Sequence, residues 1–284
     1  MRLLILGGSG MLGHQLWRGL HERHEVWVTL RRPFTDFAQH QLFDPARSIQ
    51  VDDITDDAAL GQALGQAQPE AVINCVGLIK QHNQASDKAL MRRINAEFPH
   101  RLAKQCAALG ARLIHFSTDC VFAGTKGKYT EDDPADATDL YGQTKHQGEL
   151  AEPHCVTLRS SVIGPEISSS LALLNWFLSQ RGETIRGFTR AIYSGFTTIE
   201  MARIVERILT DQPSLSGVWQ VASEPISKYD LLKLCQAKLD WEGTIEPDDA
   251  FVCDRSLDGS RFNQLTGNQP PSWEAMITEL AEAL

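Results

Sequence analysis

Apolar positions along the 284-residue chain fall into two kinds of run, and their alternation predicts the fold. Short unbroken runs, with no polar residue at every second place, read as strands buried on both faces. These are Leu3-Leu4-Ile5-Leu6 and residues 25–29 (EVWVT), 71–77 (AVINCVG), 112–117 (RLIHFS) and 155–164 (CVTLRSSVIG). Residues 48–54 read as a further short strand. Between the strands the apolar residues recur every three or four places. Met11, Leu12, Leu16, Trp17 and Leu20 mark one helix. Leu90, Ile94, Phe98, Leu102, Cys106 and Leu109 mark a long one over residues 86–109, with Gly110 as its C-cap. Asp56 and Asp57 open another helix, where carboxylates suit the positive end of the dipole.

Strand and helix alternating in this way predict an α/β fold, a Rossmann doubly wound parallel sheet over residues 1–165. The rest of the chain, residues 166–284, reads as a smaller C-terminal α/β substrate-binding domain. Its predicted elements are an apolar helix at 167–180, a helix at 198–210, a strand at 217–222, a helix capped by Ser227 and running to Leu239, and a terminal helix from 273. The stretch 191–222 is expected to return to the main sheet.

Charge and cysteine usage narrow the function. A net charge of −9 argues against a duplex-binding surface. Cys75, Cys106, Cys120, Cys155, Cys235 and Cys253 are scattered, with no C-x-x-C pair and no metal-ligand spacing. They read as small hydrophobes in a reducing compartment rather than as disulfides or a zinc site. No apolar run reaches membrane-spanning length, and the chain opens on a strand rather than a leader, so the expected location is cytoplasmic.

The chemistry starts where the first strand meets the first helix, at Gly7-Gly8-Ser9-Gly10-Met11-Leu12-Gly13. Strand, glycine turn and helix in that order are the setting of a dinucleotide fingerprint. Gly7 permits the tight turn, Gly10 lets backbone approach a pyrophosphate, and Gly13 lets the helix pack on its strand. The N–H groups of Met11 and Leu12 open a helix N-terminus, which attracts phosphate. The second strand ends in Leu30-Arg31-Arg32-Pro33, where an NAD-preferring unit places a carboxylate on the ribose 2′-hydroxyl. Two guanidinium groups suit a 2′-phosphate instead, which points to NADP(H). The carboxyl edge of the sheet, where such folds bind ligand, carries Cys75, Val76 and Gly77. Cys75 has no activating neighbour in the sequence and reads as a packed thiol, and His115 as a core or sheet-facing histidine.

Further on, Ser117-Thr118-Asp119-Cys120-Val121-Phe122-Ala123-Gly124 leaves the sheet, and a helix beginning near Asp139 bears Tyr141-Gly142-Gln143-Thr144-Lys145. Residues i and i+4 share a helix face, so Tyr141 and Lys145 point into one space. A nearby ammonium stabilises phenolate and suits a proton relay.

The fingerprint, the hydroxyl at the strand end and the Tyr/Lys pair together resemble the extended short-chain dehydrogenase/reductases. The string STDCVFAG resembles most closely their dTDP-4-dehydrorhamnose reductase branch. The resemblance implies a nicotinamide-dependent oxidoreductase acting on a nucleotide sugar in polysaccharide biosynthesis. In it Thr118 would bond the substrate oxygen, Tyr141 would be the acid/base and Lys145 its partner and a holder of the nicotinamide ribose. Asp53 followed by Ile54 would bracket the adenine. Dehydratases of this superfamily carry Thr-Asp-Glu where this chain has Thr118-Asp119-Cys120, so dehydration is disfavoured. Arg31 and Arg32 favour net reduction over a 4-epimerase that retains NAD. The expected activity is reduction of a nucleoside-diphosphate 4-keto-6-deoxyhexose. The alternatives are a sugar-nucleotide epimerase and a non-catalytic NADP-binding regulatory subunit.

Substrate candidates are Asp119, Cys120, Asn175, Trp176, Arg186, Arg190 and Arg255. An arginine at 186 or 190 would meet a diphosphate, Trp176 or Phe188 would stack on a base, and Tyr193-Ser194-Gly195 adds a polar, aromatic stretch. Some relatives dimerise through magnesium held by glutamates, one of them two residues past the third fingerprint glycine. Gln15 stands there, so no metal is expected, while a homodimer stays compatible with the resemblance.

Overall fold

Leu3, Leu4, Ile5 and Leu6 are all fully buried in β1 (Arg2–Leu6), which explains why the run shows no alternation. Leu3 and Ile5 face one layer of helices and Leu4 and Leu6 the other. Each such side chain contributes roughly 1.5–3 kcal/mol by leaving water, so β1 anchors both cores at once. The structure, a computed structural model, describes residues 1–80, 86–168 and 170–284.

β1 is an interior strand of a seven-stranded parallel sheet. On one side lie β2 (Glu25–Leu30) and β3 (Ser48–Gln50). On the other lie β4 (Ala71–Asn74), β5 (Arg112–Phe116), β6 (Cys155–Arg159) and then β11 (Gly217–Gln220), numbered by its place in the chain. Leu3 pairs with Val26 on one side and with Ala71 on the other. The chain therefore reverses its direction of travel across the sheet between β1 and β4, and a crevice opens at their carboxyl ends.

One face is covered by α1 (Met11–Leu20) and α7 (Thr198–Thr210), which put Leu16, Leu20, Met201, Val205 and Ile208 against the sheet. The other carries α2 (Asp57–Ala67) and the pair α3 (Lys88–Arg92) and α4 (Phe98–Leu109). A single π-helical turn, Arg93–Glu97, joins α3 to α4, so the long periodic segment is one helix with an interruption. α5 (Leu140–Gln147) packs beside that turn.

Several expected elements are shorter than their apolar runs. The third strand stops at Gln50 rather than 54, the fourth at Asn74 rather than 77, and the fifth at Phe116. In each case the last residues of the run leave the ladder at the carboxyl edge of the sheet. The run at 155–164 breaks after Arg159. Its tail forms β7 (Val162–Ile163), which pairs with β10 (Phe196–Thr197) outside the main sheet. The helix expected at 167–180 is confined to α6 (Leu173–Ser179), because residues 167 and 168 bend away; Ser169 lies outside the described residues.

Beyond α6, β8 (Thr184–Phe188) runs parallel to β13 (Thr244–Asp248). β9 (Ala191–Tyr193) lies between β12 (Ile226–Ser227) and β14 (Cys253–Asp254). α8 (Lys228–Lys238), α9 (Ser260–Thr266) and α10 (Trp273–Glu282) complete the chain. Of the stretch 191–222 only β11 joins the main sheet, next to β6, while β9 and β10 pair in the smaller sheets and α7 packs on α1. The C-terminal segment is thus shared between the sheet and the smaller unit. No helix among the described residues is long and apolar enough to cross a membrane.

Candidate active site

The glycine turn closes directly on the end of β2. Gly7 N–H donates to Thr29 Oγ1 at 3.0 Å and Gly8 N–H to the Thr29 carbonyl at 2.9 Å. That brings Arg31 and Arg32, two and three residues on, beside the turn. Gly7 has φ +78°, and a Cβ at Gly13 would lie 2.2 Å from the Gly7 carbonyl oxygen. Both positions need glycine, one for conformation and one for space. Gly10 caps α1 without any side-chain hydrogen bond. By contrast α2, α5, α7, α8 and α10 are capped by the side chains of Asp56, Asp139, Thr197, Ser227 and Ser272. The first N–H groups of α1, from Met11 onward, are left for an external acceptor.

The other expected cofactor residues lie at or just past the ends of β2, β3 and β4. Val76 stands 3.3 Å from the Cβ position of Gly7. Cys75 is half-buried below it, and burial of its sulfur pushes the thiol far above the ordinary range, so it is inert. Gly77 lies against Asn95. Asp53 accepts from Thr55 N–H and Oγ1 and from Arg93 Nη2 at 2.9 Å, with Ile54 half-buried beside it. The Thr55 hydrogen bond holds the Asp53 carboxyl below its usual value. Arg32 donates to Ser168 Oγ at 2.9 Å and lies 3.7 Å from Asp36; Arg31 is exposed.

Thr118, Tyr141 and Lys145 meet where β5 ends. Thr118 caps a short 3₁₀ turn, accepting from Cys120 N–H at 3.2 Å and donating to Asp119 Oδ1 at 3.1 Å. α5 packs hard on that turn, since a Cβ at Gly142 would lie 2.1 Å from the Cys120 carbonyl oxygen. This contact sets the height of Tyr141 over Thr118. Burial raises the Tyr141 phenol, and a hydrogen bond from Thr118 only partly offsets it. The helical spacing alone had suggested a phenol lowered by Lys145. Instead Lys145 Nζ donates to the Phe116 carbonyl at 2.6 Å, and burial pushes the ammonium down to about 8. Tyr141 is therefore protonated at neutral pH, and Lys145 is still charged there.

A buried polar layer supports this group, and most of it escaped the sequence reading. Arg159 Nε and Nη2 grip both oxygens of Glu149 at 2.7 Å, and Ser117 Oγ donates to Glu149 at 2.7 Å. Burial alone would raise this carboxyl, yet Arg159 and Ser117 keep it below its usual value. Its charge in turn raises Lys145 against the effect of burial. Glu149 follows Lys145 by four residues but lies past the end of α5 at Gln147, so no helical spacing marks it in the sequence. Asn95, in the π-helical turn, brackets Leu78 by accepting from its N–H and donating to its carbonyl, both at 2.9 Å. Nothing in the apolar period announces that turn. Lys80 pairs with Asp139 at 2.7 Å and lies 5.5 Å from the Tyr141 ring centre. His115 is wholly buried against Asn74 at 3.1 Å, and burial keeps it neutral, as expected of a core histidine.

Next to Thr118 a cleft of about 180 Å³ opens between the 3₁₀ turn and the C-terminal strands. Asp119, Cys120 and Arg255 line it together, joined by Tyr193, Lys228 and Phe251. The loop after β5 is docked there by glycines: a Cβ at Gly124 would lie 2.6 Å from Cys253 Sγ. Phe122 stacks on Tyr129 at 4.2 Å, and the Tyr129 hydroxyl accepts from the N–H groups of Gly124, Thr125 and Lys126. Arg255 Nε donates to the Phe122 carbonyl at 2.8 Å, and Nη1 lies 3.7 Å from Cys120 Sγ.

The remaining substrate candidates stand outside the lining. Asn175 exchanges hydrogen bonds with the Glu166 backbone at 2.9 and 3.2 Å, and Trp176 is about one-third exposed on α6. Arg186 extends into solvent 3.5 Å from Asp248, and Arg190 is exposed in the turn before β9. Among the described residues no cluster of His, Cys, Asp or Glu is arranged to hold a metal.

Residues 1–284 match the family described as RmlD substrate binding domain. Over 151 residues the chain is 36% identical to a dTDP-4-dehydrorhamnose reductase of Streptomyces griseus, a stretch covering 53% of this chain and 44% of that protein. It is 32% identical over 152 residues to methionine adenosyltransferase 2 subunit beta of Rattus norvegicus, covering 53% of this chain and 42% of that one. The matched stretches thus span less than half of either relative. A crystal structure of dTDP-4-dehydrorhamnose reductase from Bacillus anthracis in complex with NADP superposes with a TM-score of 0.80, covering 99% of both chains at 22% identity, a likeness of fold.

Proposed function

The chain belongs to the RmlD substrate binding domain family, and from that premise we propose that it is an NADPH-dependent reductase of a nucleoside-diphosphate 4-keto-6-deoxyhexose. One observation carries the reading. An uncapped, glycine-lined helix N-terminus meets Thr118, a protonated Tyr141 and a buried Lys145 at a single edge of the sheet.

The residues present fit NADP(H). The open N–H groups of α1 and the glycines at 7, 10 and 13 suit its pyrophosphate, and Arg31 and Arg32 its 2′-phosphate. Asp53, Ile54, Cys75, Val76 and Gly77 border the adenosine half, and Lys145 the nicotinamide ribose. Bound NADPH supplies the hydride. Tyr141 gives its proton to the sugar oxygen as negative charge develops there, and Thr118 orients that oxygen. Donors fixed in a site shielded from water need no reorganisation at the moment of reaction. Asp119, Cys120 and Arg255 hold the hexose. Cys120, whose thiol burial pushes up to about 12, has no means of acting as a dehydratase base.

In this reading residues 1–165 chiefly bind the dinucleotide and 166–284 the sugar nucleotide, while 198–220 serve the sheet. The six unpaired thiols accord with a cytoplasmic location. Homodimer formation, carried over from the resemblance, is checked by sedimentation.

The second reading, a non-catalytic NADP-binding subunit, is favoured by the match to methionine adenosyltransferase 2 subunit beta. The two part in one assay, NADPH oxidation with a panel of nucleotide-linked 4-keto-6-deoxy sugars. We expect one NADPH consumed per sugar reduced, and no loss of water from dTDP-glucose. NADPH that binds but is oxidised by none of the panel would put the subunit reading in its place.

A further inference from the structure

A general acid has to become a base. As hydride reaches the carbonyl carbon, the sugar oxygen takes the Tyr141 proton and leaves a phenolate, which solvent reprotonates before the next turnover. The surroundings of Tyr141 oppose that charge. Burial raises the phenol, Cys120, Asp119 and Asp139 raise it further, and one hydrogen bond from Thr118 works against them. Two nearby cations are engaged elsewhere. Lys145 donates to the Phe116 carbonyl at 2.6 Å, and Arg255 to the Phe122 carbonyl at 2.8 Å. Lys80, from the loop after β4, is placed differently. Its ammonium stands over the face of the Tyr141 ring, 5.5 Å from the centre. It is also held there. Lys80 Nζ donates to Asp139 Oδ2 at 2.7 Å, and Asp139 caps α5 by accepting from Gly142 N–H at 2.9 Å through its other oxygen. Two residues before Lys80, Leu78 is gripped at both backbone groups by Asn95.

We propose that Lys80 is a positioning residue for proton donation: held by Asp139, its ammonium over the Tyr141 ring stabilises the phenolate that the departing proton leaves. This rests on the reading of the chain as a reductase with Tyr141 as its acid. A cation is drawn to the face of a neutral ring by the ring's quadrupole. Once the proton leaves, the ring carries a negative charge and the attraction grows. The gain appears only as the reaction proceeds, so it acts on turnover and not on substrate binding. Without Lys80, the Asp139 carboxylate would face the developing charge unpaired.

The test compares Lys80→Met and Lys80→Arg with wild type. The side chains of Lys80 and Asp139 are 35% and 37% exposed, so their pair adds little to stability and the Met variant should keep its melting temperature. Its kcat is expected to fall by roughly three- to tenfold, the size of a cation–ring contact. KM for the keto sugar and NADPH affinity should stay within about twofold. Lys80→Arg keeps a cation and should recover most of the loss. A second readout needs no turnover. Ring-fluorinated tyrosine ionises at lower pH, so its titration at position 141 can be followed by fluorine NMR and assigned with Tyr141→Phe. Lys80→Met should move that titration up by about one pH unit, the equivalent of tenfold. Lys80→Arg should leave it in place. An unmoved titration in an active reductase overturns the inference and leaves the reductase standing. Weaker NADPH binding with an unchanged kcat also overturns it, by assigning Lys80 to the cofactor. A titration that moves in a protein reducing no keto sugar would keep the Lys80–Tyr141 contact and remove the reductase.

Discussion

The glycine turn at Gly7–Gly13 and the cleft around Cys120 and Arg255 lie along the same edge of one sheet, yet they are made of different material. The turn is seven consecutive residues, and what it offers is backbone: open N–H groups and the absence of three Cβ atoms. The cleft is drawn from the loop after β5, from Ser161 between β6 and β7, from β9, from the start of α8 and from the segment around β14, and what it offers is side chains. A site made of backbone needs only local conformation and close packing. One made of side chains from five places needs the whole tertiary fold to bring them together. Between the two stand Tyr141 and Lys145, local to one helix, with the Lys145 ammonium supported by the charge of Glu149, which Arg159 from β6 holds.

The largest effect is expected at that junction. Tyr141→Phe removes the proton donor and keeps the ring, so kcat should fall by about 10²–10⁴-fold with NADPH and dTDP binding unchanged. Steady-state kinetics with parallel titration checks this. A variant within threefold of wild type would remove Tyr141 from the chemistry and dissolve the junction.

Within the turn, two glycines separate packing from binding. Gly13→Ala drives a methyl group into the Gly7 carbonyl oxygen and should destabilise the fold by about 1–3 kcal/mol, read by denaturant unfolding. At Gly10 the nearest atom would be 3.3 Å away and φ is −72°, so alanine there costs the fold much less than at Gly13. There the loss should appear chiefly in NADPH affinity. Equal stability losses at both positions would mean that the turn is a packing feature and no more.

Arg31 and Arg32 sharpen the cofactor side further. Replacing both by Ala should weaken NADPH by about 1–3 kcal/mol and leave NADH unaffected. A wild type with equal affinity for both cofactors would sink the assignment.

The smallest effect is in the pH profile. The Lys145 ammonium is lost as pH rises through about 8, so activity should be halved near that pH and Lys145→Arg should flatten the limb. Stability must move the other way. The folded pKa lies below the unfolded one, so between about 8 and the ordinary lysine value the unfolded state binds more protons and the fold gains as pH rises. Activity and melting temperature that fall together above pH 8 would point to unfolding rather than to Lys145.

What was legible in the sequence was whatever depends on residues near one another. The double burial of Leu3–Leu6 showed as an unbroken apolar run because both faces of a parallel strand are covered. The glycine spacing, the Tyr141/Lys145 helix face and the return of residues 217–220 to the sheet were likewise readable, each from a short stretch with its own period. The ends of strands were not, since apolar residues past the end of a ladder look the same as those that continue it. Nor was the direction of the Tyr141 shift. Spacing places Lys145 nearby, but only the fold shows that its ammonium is held by the Phe116 carbonyl and that burial governs the phenol.

The cleft was legible least of all. Of the seven residues expected to meet substrate, Asp119, Cys120 and Arg255 converge, while Asn175 engages the Glu166 backbone and Arg186 extends into solvent beside Asp248. Lys228 and Phe251 belong to it with no motif to mark them. A cleft of this kind has no sequence period, because its residues share a location and not a spacing. The sequence by itself determined the sheet, the glycine turn and the helix that bears Tyr141, through local backbone geometry and burial. Only the tertiary structure decided which side chains face one another across the cleft, since contacts between residues more than a hundred positions apart are set by packing alone.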